Sequence, residues 1–229
     1  MTPQERGKRA AAKAAAALIQ NGQTIGVGTG STAEFFIDYL SERIKNEKLS
    51  IKGVATSKKS FEKSSSAGIE LIDPNKIKTL DLCVDGADEI DPQNRMVKGG
   101  GGALLREKII ANTASQMIVI VDESKCVTHF GKFPLALEIL PFAHLATGYT
   151  LEKKGFKGSF RKKENGSFFL TDNNNLIFDI QLDYPLKNPE ELNKELKNIP
   201  GVLETGFFFH LAKQVIVGYP NGEVKIIVA

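Results

Sequence analysis

The sequence predicts an α/β fold: a Rossmann-like, mainly parallel sheet domain with a second, smaller α+β domain of ferredoxin-like order. Three observations predict it. Up to about residue 130, short apolar runs alternate with helix-period segments, the pattern of repeated β-α-β units. Beyond that point the order becomes strand, helix, two strands, helix, strand, as in a split βαβ module. Polar and glycine-rich loops follow several of the early apolar runs, where open parallel sheets bind their ligands.

Taken in order, residues 4–20 read as an alanine-rich helix and 24–27 as a short strand ending in a glycine loop. Helical spacing returns over 31–45, with Phe35, Phe36, Tyr39 and Leu40 available for a buried face. Strands follow at 51–55, 69–72 and 80–84, helices at 58–67 and 103–114, and 117–121 is a fifth, strongly apolar strand. In the second part, 135–139 reads as a strand and 143–154 as a helix. Strands at 168–170 and 176–181 come next, then a helix at 189–197 with Pro189 at its start and a strand at 202–209. Two runs, 214–217 and 224–227, flank Pro220-Asn221-Gly222 and read as a hairpin that finishes the first sheet or extends the second. The expected division is a catalytic domain of residues 1–130 plus 206–229, with the tail's placement open, and a smaller domain of 131–205 carrying a subunit interface.

Composition narrows the function. The 229 residues carry 30 Lys+Arg against 27 Asp+Glu, a formal charge of +3, with 41% hydrophobic residues. These are ordinary globular values and exclude long disorder. So small a surplus gives no reason to expect nucleic acid or a membrane as partner. The densest basic cluster, Lys153, Lys154, Lys157, Arg161, Lys162 and Lys163, reads as a solvated hairpin or helix end. Cys83 and Cys126 form no CxxC pair and only three histidines are present, which argues against zinc. Cys83 in its apolar run reads as a small buried hydrophobe, fitting a reducing compartment and a cytoplasmic protein. Arg6, Lys8 and Arg9 before an alanine-rich stretch resemble a signal peptide, but Lys13 interrupts the stretch. No run approaches the ~18 apolar residues that span a membrane.

The chemistry lies in three motifs. Gly26-Val27-Gly28-Thr29-Gly30-Ser31-Thr32 joins a strand to a helix. Its glycines admit a ligand to the backbone, while the helix start and two hydroxyls offer donors, which is anion-binding chemistry suited to a monophosphate. A dinucleotide fingerprint would need glycine where Ser31 stands and an acidic residue where Thr56 and Ser57 stand; a P-loop would need a lysine that is missing. The remaining alternative is a tight turn with a serine cap.

Asp85-Gly86-Ala87-Asp88-Glu89-Ile90-Asp91 places Asp85 and Asp88 at a strand's carboxyl end, suited to sugar hydroxyls, proton transfer or Mg²⁺. Glu89 and Asp91 read as exposed carboxylates of an acidic turn. In Lys98-Gly99-Gly100-Gly101-Gly102 the four glycines are costly to order, so a mere linker explains them poorly. They read as backbone wrapped around a ligand. Glu107, in the helix that follows, shares a face with Ala103, Ala111 and Ala114. There a carboxylate loses hydration and becomes a proton shuttle, the alternative being an ordinary pair with Arg106 or Lys108. Lys125 follows the fifth strand, and Lys8, in the first helix, is a second candidate to reach an anion; the alternative for each is a solvated surface lysine.

Together these motifs resemble the ribose-5-phosphate isomerase A family. The match also takes in Ser124-Lys125, residues 131–142 and residues 201–207, nearly the whole chain. The resemblance implies an isomerase of the non-oxidative pentose phosphate pathway, interconverting D-ribose 5-phosphate and D-ribulose 5-phosphate through an enediol(ate). It implies Glu107 as the proton acceptor, assisted by Asp85, Asp88 and Lys98. Thr29, Gly30, Ser31, Thr32, Asp85, Gly86, Ala87, Asp88, Lys98, Gly99, Gly100, Gly101 and Lys125 become the substrate contacts. No metal or cofactor is implied; the partner is a sugar phosphate, and the subunits form a homodimer or homotetramer. Two positions depart from the family pattern: Asn174 where glycine is usual, a residue that tolerates the left-handed region, and Phe207 where leucine is usual, in expected core.

Two other classes compete. A non-catalytic sugar-phosphate sensor of a transcription regulator should carry a helix-turn-helix before the glycine loop, but only 25 residues precede Gly26. A Mg²⁺-dependent phosphoryl transferase would use the acidic cluster but lacks the P-loop lysine.

Overall fold

The structure, a computed structural model, describes residues 1–228. The elements are α1 Pro3–Ala17, β1 Thr24–Val27, α2 Ser31–Glu47, β2 Lys52–Ala55, α3 Lys58–Ser66, β3 Glu70–Leu71, β4 Leu82–Asp85, β5 Glu89–Ile90, β6 Met96–Val97 and α4 Leu104–Thr113. There follow β7 Met117–Asp122, β8 Leu135–Ile139, α5 His144–Lys153, β9 Gly158–Phe160, β10 Leu176–Ile180, α6 Pro189–Lys197, β11 Val202–Thr205, β12 Phe207–Phe208, β13 Ala212–Gly218 and β14 Val224–Val228. The chain forms two compact units. The first contains Met1–Ala87, Arg106–Cys126 and the chain from His210 onward; the second contains Asp88–Leu105 and Val127–Phe209. This division differs from the one expected: residues 88–105 leave the sheet domain, and the later crossings fall at 126/127 and 209/210.

The first unit is built on a seven-stranded sheet in the order β14-β13-β7-β4-β1-β2-β3, parallel except for the edge strand β14. Its central strands are buried on both faces and so read as continuous apolar runs. One face packs Ile25, Val27, Val84, Ile118 and Ile120 against Phe36, Ile37 and Leu40 of α2 and the alanines of α1. The alanine face of α1 permits close packing: Ala11, Ala12 and Ala15 have no exposed surface. At the helix's first half, a Cβ on Gly7 would lie 2.7 Å from the Gly218 carbonyl oxygen, and one on Gly218 would lie 2.0 Å from that of Gly7. The pair lets α1 rest directly on the end of β13. The C-terminal hairpin therefore completes the first sheet.

In the second unit, β11-β8-β10-β9 form an antiparallel sheet, the order expected of a ferredoxin-like module. Leu137, Ile139, Leu151, Phe178, Ile180, Leu196 and Val202 make its core. A small second sheet, β12-β6-β5, was not foreseen, because two-residue strands carry no readable period. The run 202–209 is split rather than one strand. Gly206 interrupts it, donating its N–H to Ala136 O at 2.7 Å and accepting that of Lys98 at 2.8 Å, and Phe207-Phe208 then pair with β6. Residues 168–170 form only single bridges, Phe168 to Lys162 and Leu170 to Leu176, while the strand beside β10 is 158–160. Asn174 is left-handed at φ 61°, as its tolerance for that region anticipates, and Phe207 is 1% exposed.

Substituting Gly218→Ala tests the seating of α1. The added methyl meets backbone, which cannot rotate away, so overpacking should destabilise the protein by about 1–3 kcal/mol. Thermal unfolding reads this directly; an unchanged midpoint would show that α1 does not depend on the contact.

Candidate active site

Parallel pairing brings the carboxyl ends of β1, β2, β4 and β7 to one edge of the first unit, with Val27 opposite both Ala55 and Val84, and Asp85 opposite Val119. The glycine loop leaves this edge. Gly28 N–H bonds Val84 O at 2.9 Å, and the loop ends at Gly30, which at φ 109° precedes the first turn of α2. No side chain caps that turn. Its first amides and the positive end of its dipole therefore remain available to an anion. Lys8 enters from α1, its Nζ 3.0 Å from Ser31 Oγ, so a cation and a hydroxyl meet at the helix start.

Asp85, at the end of β4, has no exposed surface. Its Oδ1 accepts the N–H of Thr29 at 3.1 Å and of Gly86 at 2.7 Å, two backbone donors that offset part of its desolvation. A Cβ on Gly28 would lie 2.1 Å from that oxygen, so only glycine fits there. Sequence reasoning overlooked what lies beyond Thr29: its Oγ1 is 2.7 Å from Thr56 Oγ1 and 2.8 Å from Ser57 Oγ, and Ser57 Oγ is 2.9 Å from Ser60 Oγ. Ser57 and Ser60 form a capping box on α3. The serine spacing was the available signal. Glu107, in the first turn of α4, is 5% exposed, and Ala111 one turn on is also buried. Lys125 closes a short helical turn after β7 at the same edge, half-buried.

The second unit holds the other predicted residues. Asp88 Oδ2 accepts the Gly100 N–H at 2.8 Å, fixing the tetraglycine loop from one side. Lys98 is 3% exposed, and its ammonium stands 5.5 Å from the Phe208 ring centroid. Glu89 and Asp91, expected on the surface, are 3% and 6% exposed. Glu89 receives three backbone N–H groups, from Gly131, Lys132 and Phe133; Asp91 receives those of Gln93 and Arg95 and the Arg95 guanidinium. Both hold turns together. Among the described residues no group of three or more His, Cys, Asp or Glu could hold a metal ion, and no helix is long and apolar enough to cross a membrane.

A parallel α/β sheet with a lysine at a helix start and a buried carboxylate at its carboxyl edge defines an α/β protein whose candidate site lies at the strand ends. The family profile described as ribose 5-phosphate isomerase A (phosphoriboisomerase A) matches residues 52–222. Ribose-5-phosphate isomerase A of Protochlamydia amoebophila is 46% identical over 226 residues, covering 99% of this chain and 97% of its own. A solved D-ribose-5-phosphate isomerase in complex with phospho-erythronic acid superposes with TM-score 0.93 at 38% identity, covering 100% of both chains. The enzyme of Methanocaldococcus jannaschii gives 0.90 at 36% identity, covering 97% of this chain and 98% of its own. The chain belongs to the ribose 5-phosphate isomerase A family.

The two thiols should differ in reactivity. Cys83 is buried, whereas Cys126 follows Lys125. Loss of solvent around its sulfur, then the Asp122 carboxylate, raise the Cys126 thiol above its ordinary range, with Glu123 adding and Lys225 opposing. Since the thiolate is the nucleophile, iodoacetamide at pH 8 should modify Cys126 more slowly than a free cysteine, and Cys83 only on unfolding. Mass spectrometry of the alkylated protein checks both.

Proposed function

We propose that the protein interconverts D-ribose 5-phosphate and D-ribulose 5-phosphate through an enediol(ate), with Glu107 as the base. The observation that carries the reading is the burial of Glu107, a residue 5% exposed on the first turn of the helix entered from the tetraglycine loop. Burial strips water from a carboxylate and lets it act as an acceptor of carbon-bound protons. In the aldose-to-ketose direction it removes the C2 proton. The C–H electron pair becomes the C1–C2 double bond, and negative charge moves to the former carbonyl oxygen. Protonation at C1, with the hydroxyl proton passing from O2 to O1, yields the ketose. Hydrogen gained at C1 is lost at C2, so the exchange itself calls for no external oxidant or reductant.

The other residues take roles suited to their chemistry. Lys98 supplies positive charge to the developing oxyanion. Asp85 and Asp88 bind hydroxyls and help open the sugar ring. Ser31, Thr32, the amides around Gly30, and the lysines Lys8 and Lys125 hold the phosphate. The neighbour solved with phospho-erythronic acid supports this class of ligand, a phosphorylated sugar acid whose carboxylate has the planar charged shape of an enediolate. Cysteines that form no disulfide suit a reducing compartment, the cytoplasm. The subunits form a homodimer or homotetramer through the second unit, where Phe142, Leu145 and Tyr149 are 82%, 68% and 66% exposed around α5.

Incubation with ribose 5-phosphate should form ketopentose, before and after exhaustive chelation; activity lost on chelation and restored by Mg²⁺ would overturn the metal-free reading. Glu107→Gln should bind phospho-erythronic acid nearly normally while kcat falls ~100-fold or more. Retained turnover would remove Glu107 from its role. Light scattering should give a dimeric or tetrameric mass that Leu145→Asp with Tyr149→Asp lowers; a monomeric parent protein would refute the assembly.

A further inference from the structure

Arg161 stands apart from its basic cluster. Lys162 and Lys163 beside it are exposed, but the Arg161 side chain is only 17% exposed and is engaged on every side. Its Nε and Nη2 grip the Asp179 carboxylate at 2.8 and 2.6 Å, a bidentate pair reaching across to β10. Its Nη1 donates to two successive carbonyls of the tetraglycine loop, Gly99 O and Gly100 O, both at 3.0 Å. The guanidinium carbon lies 5.6 Å from the Phe169 ring centroid. A Cβ on Gly102 would come 2.4 Å from that ring, so the ring fixes the loop's far end. The backbone of Arg161 is tied in too, its N–H to Ile177 O at 2.8 Å and its carbonyl to Phe169 N–H at 2.9 Å. This is an anchored fork, not a solvated charge.

Peptide geometry gives the contact a consequence. In a trans peptide the carbonyl and the next N–H point in opposite directions. Holding Gly99 O on the guanidinium turns the Gly100 N–H away from it, and that N–H meets Asp88 Oδ2 at 2.8 Å. Holding Gly100 O likewise turns the Gly101 N–H away from the guanidinium. Glycines have the widest conformational freedom of any residue, so four in succession would otherwise sample many amide directions. Lysine could not substitute, because its ammonium is a point charge without a planar fork.

We propose that Arg161 is a positioning residue: its guanidinium, locked by Asp179, sets the tetraglycine loop so that the Gly101 amide serves as a fixed donor to the substrate's oxygens. This rests on the reading of that loop as a substrate contact. Misplacing such a donor by about 1 Å can cost on the order of 100-fold in rate.

The test compares Arg161→Gln, Arg161→Lys and the exposed neighbour Lys162→Gln in the full chain. Steady-state kinetics with ribose 5-phosphate and amide hydrogen exchange of the 98–105 segment are read on each. Arg161→Gln should lower kcat by about 10–100-fold while KM moves less than about threefold. Exchange at 98–105 should speed up, with the rest of the chain unchanged. Arg161→Lys, which keeps a cation beside Asp179, should fall almost as far, and Lys162→Gln should match the parent protein. If Arg161→Gln unfolds, Arg161→Lys decides alone. Near-normal kcat in Arg161→Lys overturns the proposal, as does unchanged loop exchange in a folded Arg161 variant. A parent protein that forms no ketopentose would instead defeat the isomerase reading, and with it the catalytic half of the proposal, while exchange still reads the ordering of the loop.

Discussion

The buried carboxylate of Asp85 is the constraint around which the first unit's edge is arranged. A fully buried carboxylate is unfavourable unless donors meet it. Two of the donors are backbone amides, one from the loop after β1 and one from its own loop after β4. For the first amide to reach it, the backbone at Gly28 must pass where a side chain would collide with the oxygen. Glycine at position 28 follows from that passage, and the loop then runs through Gly30 at positive φ into the uncapped first turn of α2. The carboxylate that orders the start of the loop thus lies close to a helix start whose amides no side chain occupies.

The second unit solves the related problem of a loop with no side chains by holding it from outside. Asp88 takes one amide and Arg161 takes two carbonyls, so acid and base grip opposite edges of the Gly99–Gly100 peptide and Arg161 alone holds the next. Glu89 and Asp91 apply this logic to two further turns, each collecting backbone N–H groups into one buried carboxylate. Four carboxylates within the seven residues 85–91 therefore have four distinct sets of partners.

The parallel sheet was legible because its strands are apolar runs separated by helix-period segments, and the strand at 24–27 coincides with the reading. The ferredoxin-like order was legible for the same reason. What escaped were features without a period: the two-residue strands of the small sheet, and the change of sheet at Gly206. Phe168 and Leu170 looked like a strand because alternation there reflects aromatic packing of Phe168 on His144 and Phe160 rather than a ladder. Among the candidate site residues, glycines and acids stand out by spacing. Thr56 does not, and the spacing of Ser57 to Ser60 signals only a helix cap, since only the fold brings both Thr56 and Ser57 to Thr29. Glu89 and Asp91 misled because a carboxylate that collects backbone amides looks, in sequence, like one that faces water.

The meaning of charge changes most between sequence and structure. A net surplus of three positive charges says nothing about where a cation acts. Within one basic cluster, lysines remain in water and contribute solubility, as screened surface charges do. Arg161, sixty-two and sixty-one residues from the carbonyls it holds, has left water for a carboxylate, a ring and two glycines. Its partner Asp179 sits on β10, so the loop's geometry is transmitted from a sheet rather than from the loop's own sequence. A chain segment built of glycine has no means of specifying its own shape. The specification must come from residues distant in sequence, and such residues stay hidden in a sequence-level tally of charge.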